Sequence, residues 1–204
     1  MSTFNRVSAQ RLLACTTLFI TSLLAGCGNL PQDPPPTRPG DNVSGRINLE
    51  GVDFGSVRAR VGTTPPTSVS NMTFSGQLRL NAPGLILVEN RQSQPLLMAF
   101  RPERAGAPST VEDIEVSPFS TAVALVYMTP LIAQDSAEDQ DAMVSLISDL
   151  SETTVLAEAI EDSLRSNSTS DPTSDHRVQR ALEQAVDAAI GEVLRRAARG
   201  GLVR

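Results

Sequence analysis

The sequence predicts an α+β protein: a small antiparallel β-sandwich followed by a helical segment of about four helices. Two periodicities carry that expectation. Between residues 43 and 116, apolar and polar residues alternate in short runs broken by Gly, Pro and Asn, the period of half-buried strands. From residue 118 onward, apolar residues recur every three or four positions over longer runs, the period of helices. Composition bounds the rest. The chain has 204 residues of which 40% are hydrophobic, enough for one modest core. Only 3% are aromatic and none is Trp, so the stacking platforms used for sugars and bases are scarce.

The first element is a leader. Arg6 and Arg11 give a basic start, Leu12 to Leu24 is apolar with Thr and Ser interruptions, and Ala25-Gly26-Cys27 follows. That is the layout of an export signal. The apolar run is about 13 residues, whereas a bilayer-spanning helix needs about 20. The four residues Leu24-Ala25-Gly26-Cys27 resemble the lipobox of bacterial lipoproteins, Leu-[Ala/Ser]-[Gly/Ala]-Cys, at every position. The resemblance implies that residues 1–26 are a lipoprotein signal peptide, recognised through Leu24, Ala25 and Gly26 and cut before Cys27. It also implies that Cys27 carries a diacylglyceryl group on its thiol and an acyl chain such as palmitate on its new amino terminus. Two or more acyl chains make a stable anchor where one is marginal. Cys15 lies within the leader, so Cys27 is the one mature cysteine and no disulfide is expected. Gly28 in place of Asp after the anchor is compatible with the outer membrane of a Gram-negative cell.

Residues 27–42 read as the anchor and a tether. GNLPQDPPPTRPGDN, residues 28–42, is proline-rich and favours extended polyproline II at about 3.1 Å per residue. Such a segment holds a domain a few nanometres from a bilayer.

Residues 43–117 then read as the β-sandwich-like domain. VSGRINLEG, FGSVRARVG, SNMTFSGQLRLN and GLILVEN read as strands, with PLLMAF (95–100) and TVEDIEV (110–116) as two more. Val57, Ala59 and Val61 share one face, and Phe74, Leu78 and Leu80 form an inward row in which Gly76 marks a bend or bulge. The order Ser44-Gly45-Arg46-Ile47, Ser56-Val57-Arg58-Ala59-Arg60-Val61, Ser75-Gly76-Gln77-Leu78-Arg79-Leu80 resembles a carboxypeptidase regulatory-like domain, a transthyretin-like β-sandwich. The resemblance covers about 60 residues, with Ser75 where Asp is usual and Leu78 where Phe is usual. It implies a binding or supporting module and no catalysis.

Residues 118–204 read as helices packing on that domain. In SPFSTAVALVYMTP, Ser117 suits an N-cap, Pro118 suits the first helical position, and Pro130 closes the run. This helix is apolar almost all round, which predicts burial between the sandwich and the later helices. STAVALV (120–126) resembles a helix in some large bacterial secreted and lipoprotein-like proteins, a resemblance that implies no activity. Further helices are expected over 136–150, 153–166 and 175–200. Their stripes are Val144, Ile147 and Leu150; Val155, Leu156, Ile160 and Leu164; and Val178, Leu182, Val186, Ala189, Ile190, Val193 and Leu194. Ser174 or Asp175 is expected to cap the last helix and Gly200-Gly201 to end it.

Charge and chemistry narrow the function. All 17 basic residues are Arg, two of them in the leader, which has no acid. Removing residues 1–26 therefore moves the net charge from −6 to −8, a poor balance for nucleic acid. Residues 133–175 are strongly acidic and 176–204 basic, either as complementary helices or as solvated faces. His176 is the one histidine, and no Gly-x-Ser-x-Gly or phosphate loop is present. DSAEDQD (135–141) lacks the Gly and terminal Glu of a calcium loop and reads as an acidic helix start. The expectation is a lipid-anchored envelope protein with no catalytic residue, no metal and no cofactor. It acts as a structural or protein-binding module, with a small-ligand or ion-binding lipoprotein as the alternative.

Overall fold

Alternation along GDNVSGRI places Val43, Gly45 and Ile47 on one face, and this stretch forms β1, Gly40–Ile47. The computed structural model describes residues 40–49, 56–79, 82–103, 112–130, 132 and 136–199, all within the unit Arg38–Arg204. Six further strands follow: β2 Arg58–Val61, β3 Thr67–Ser68, β4 Thr73–Arg79, β5 Gly84–Glu89, β6 Pro95–Arg101 and β7 Glu112–Val116. They make two sheets, ordered β4-β1-β7 and β3-β2-β5-β6. Strand β1 begins inside the segment read as tether, and the two-residue β3 is additional to the strands the sequence predicts.

The sandwich is antiparallel except for one ladder. β7 runs parallel to β1, with Val43 opposite Glu112 and Ile47 opposite Val116. Parallel neighbours need a long connection between them, and here β2 to β6 supply it. The sandwich core comes from the alternating inward residues of both sheets. Val43, Ile47, Phe74, Leu78 and Val116 on one side are buried with Ala59, Val61, Ile86, Val88 and Leu97 on the other. Each large aliphatic side chain buried in this way contributes about 1.5–3 kcal/mol.

Two glycines permit close approaches, one within a sheet and one between the sheets. A Cβ on Gly45 would collide with the Ile114 carbonyl oxygen and the Phe74 ring on the two strands that flank it in the same sheet. A Cβ on Gly76 would lie 2.6 Å from Val61 Cβ in the facing sheet. Gly76 therefore marks a close approach between sheets and not a bulge, since the β1–β4 register runs unbroken through Val43 and Gly76. The irregularity lies elsewhere, in β5–β6 at Val88/Glu89.

Four helices complete the chain: α1 Pro118–Tyr127, α2 Ala137–Ser148, α3 Ser151–Ser166 and α4 His176–Ala198, with a 3₁₀ turn at Pro172–Ser174. Ser117 caps α1 with Pro118 in the first turn, and Ser117 and Ser120 exchange side chain-to-backbone hydrogen bonds in a capping box. Thr121, Ala122, Val123, Ala124, Val126 and Tyr127 are all buried, which answers the all-round apolar pattern of α1. The helix lies against β6 and against α2, α3 and α4.

The junction of β6 and α1 is a polar seam inside an apolar contact. β6 is the last strand of its sheet, and such an edge leaves backbone groups unpaired. At Met98, hydroxyls of α1 satisfy them. The Met98 N–H donates to Thr121 Oγ1 at 2.9 Å, and the Met98 carbonyl accepts from Ser120 Oγ at 2.8 Å. Two turns of helix later, Tyr127 stacks on Phe100 with ring centroids 4.2 Å apart. One cluster of buried residues runs from Val43 in β1 to Ala189 in α4.

Two expected stripe residues face outward. Val155 is 50% exposed and Leu194 64%. At 100° per residue, Val155 lies about 140° from the buried Ile160, and Leu194 about 160° from the buried Val178. The buried face of α4 is instead Val178, Ala181, Ala185 and Ala189, small side chains suited to close packing, with Leu182, Val186 and Ile190 on its flank. The ion pairs of α3 and α4 run along each helix, Arg165 to Glu161 and Arg196 to Glu192, which favours solvated faces over complementary helices.

Candidate functional site

Leu24, Ala25, Gly26 and Cys27, with residues 28–39, lie outside the described residues. His176 is exposed in the first turn of α4, where Asp175 is the cap and accepts from the Arg177 N–H at 2.8 Å. Hydrogen bonds from the Arg177 side chain, then from its backbone N–H, hold the Asp175 carboxyl below the usual aspartate value. The acidic run behaves as a helix start: Ser136 caps α2 through the Asp139 N–H at 3.2 Å, with Glu138 and Asp139 in the first turn. Among the described residues, no three His, Cys, Asp or Glu side chains gather as a metal-holding group.

Two open clefts lie on the sandwich, and Ser68 of β3 lines both. The larger, of about 600 Å³, is lined by the hydroxyls of Ser44, Thr67, Ser68, Ser70, Thr73 and Ser75. Arg46 and Asp113 supply its charge, and Arg46 is also engaged with Glu115 at 3.5 Å.

The smaller cleft, of about 270 Å³, is lined by Ser56, Val57, Arg58, Ser68, Val69 and Arg91. Its arginines come from β2 and from the turn after β5, which the β2–β5 ladder brings together by pairing Arg58 with Glu89. The turn is built around Asn90, 4% exposed. Asn90 Oδ1 accepts from the N–H groups of Gln92 and Gln94, both at 2.9 Å, while Nδ2 donates to Gln94 Oε1 and to the Thr169 carbonyl at 2.6 Å. Asn90 thus ties the turn to the loop between α3 and α4. Ser93, held at φ 62, accepts from Arg58 Nη2 at 3.0 Å. The sequence contained one usable signal for this arrangement, an Asn closing a strand run, which commonly starts a side-chain-stabilised turn.

The neighbouring pair is complete in itself. Glu89, 4% exposed, binds Arg60 through both carboxylate oxygens at 2.9 and 3.3 Å. It leaves no carboxylate among the residues lining the smaller cleft. A scan against protein-family models and a search of curated proteins find no match to this chain.

Proposed function

We propose that this chain is a lipid-anchored protein of the bacterial cell envelope that acts as a non-enzymatic structural or protein-binding module. One observation carries the reading: Leu24-Ala25-Gly26-Cys27 ends an apolar run too short to span a bilayer and is followed by a proline-rich tract. Acyl chains on Cys27 hold the protein to the membrane, the outer membrane if the cell is Gram-negative, and the tract sets the folded part at a distance. Among the described residues no helix is long and apolar enough to cross a membrane. The sandwich with helices packed on one of its edges is a scaffold that presents surface and clefts. The hydroxyl-lined cleft of about 600 Å³ favours a second reading, a lipoprotein that binds a small polar ligand.

The test is the anchor. In cells fed labelled palmitate, the wild-type protein is expected to take up label and to partition into the detergent phase. Cys27→Ser is expected to lose the label and to keep its leader. Equal labelling of the two proteins would remove the lipoprotein reading.

A further inference from the structure

We propose that Arg58 and Arg91, with Ser56 and Ser68, form a binding site for a phosphoryl oxyanion. The proposal does not depend on the lipid anchor.

The first ground is unused donor capacity. A guanidinium carries five N–H donors in a fixed fork. Arg58 spends Nη2 on Ser93 Oγ at 3.0 Å and on the Asn90 carbonyl at 3.5 Å. Its Nε is buried with no acceptor. Arg91 donates from Nε to Ser56 Oγ. The Nη1 group of Arg58 and both Nη groups of Arg91 have no protein acceptor among the described residues.

Charge gives the second ground. In a chain of net charge −6, several arginines elsewhere in the fold are matched by carboxylates: Arg46 by Glu115, Arg60 by Glu89, Arg165 by Glu161 and Arg177 by Asp175. Arg58 and Arg91 line one cleft with serines and valines and no acid. The adjacent acid, Glu89, is occupied on both oxygens by Arg60.

The ligand class follows from geometry and size. One guanidinium fork satisfies both oxygens of a carboxylate. Two forks on separate elements match an anion with three or more oxygens and close to two negative charges, which is a phosphate group. The cleft holds about 270 Å³, below the roughly 300 Å³ at which drug-sized ligands are enclosed. The Ser56 and Ser68 hydroxyls add donors at its walls. Asn90 and the left-handed Ser93 fix the turn that carries Arg91 before any ligand arrives.

The experiment is calorimetric titration of the full mature protein in detergent with inorganic phosphate, at ionic strength held constant with chloride. Saturable binding at one site is expected. Arg91→Gln, an exposed position, is expected to weaken it by about tenfold or more. Arg58→Lys keeps the charge and loses the fork, and is expected to weaken it while circular dichroism stays unchanged. Arg180→Gln, on the exposed face of α4, should bind as the wild type does. A parallel titration with glycerol 3-phosphate, the monoester headgroup of phosphatidic acid, distinguishes the source: tighter binding of that monoester assigns the site to a lipid headgroup, and tighter binding of phosphate to a free ion. Absence of saturable heat with both probes, or equal binding in Arg91→Gln and wild type, overturns the site.

Discussion

Asp175 shows how one side chain links sequence, structure and pH. It closes the turn before α4, and its carboxylate accepts from the Arg177 N–H while pairing with the Arg177 guanidinium at 3.0 Å. Folding lowers its pKa, so the unfolded chain binds its proton more readily. Its stabilisation is therefore complete above the ordinary aspartate value of 3.8 and is lost as pH falls through the lower folded value. The ion pair is exposed and adds little, so the cap itself dominates. Asp175→Ala is expected to cost about 1 kcal/mol at neutral pH. Asp175→Asn keeps the acceptor and should cost less. Urea melts of the three proteins from pH 7 down to the acid range measure this, and the gap between wild type and Asn variant should close only below 3.8.

At the scale of elements, the β6–α1 seam determines whether the last strand of the sheet is protected. Thr121 is 1% exposed and its hydroxyl receives the Met98 N–H while donating to the Ser117 carbonyl at 2.7 Å. Thr121→Val keeps the shape and removes both bonds, leaving a buried donor unmet at a cost of about 1–3 kcal/mol. Thr121→Ser keeps the bonds and loses one methyl, a change of about 0.8 kcal/mol. Denaturant midpoints at unchanged m-value compare the two, with the Val variant expected to be the less stable.

How far such elements were legible depends on whether the signal is local. Ser117-Pro118 announces α1 because capping is written in adjacent residues. The inward row Val57, Ala59 and Val61 is equally local. Val155 and Leu194 misled because a period of 3.6 allows a wide arc, and only the packed neighbour decides which part of it is covered. The parallel pairing of β7 with β1, the role of Gly76 against Val61, and the meeting of Arg58 with Arg91 depend on residues far apart in the chain. No local pattern encodes them.

For the whole molecule, the continuous buried cluster from β1 to α4 predicts that sandwich and helices unfold together. The sandwich alone would expose the Met98 backbone and the faces of Leu96 and Phe100 that α1 and its neighbours shield. The helices alone would lose the wall against which α1 is buried. Each part therefore holds the other above the threshold of independent stability, the condition for a two-state transition in a domain of this size. The chain contains its own reporter. Tyr127 is the single tyrosine, there is no Trp, and its ring is 4% exposed and stacked on Phe100 where the two parts meet. Tyrosine fluorescence thus follows the junction, while far-ultraviolet circular dichroism is dominated by α1 to α4. The two guanidinium unfolding curves are expected to coincide in midpoint and slope. Loss of the Tyr127 signal at lower denaturant than the helical signal would show the helices standing apart from the sandwich, and the single-core account would fail.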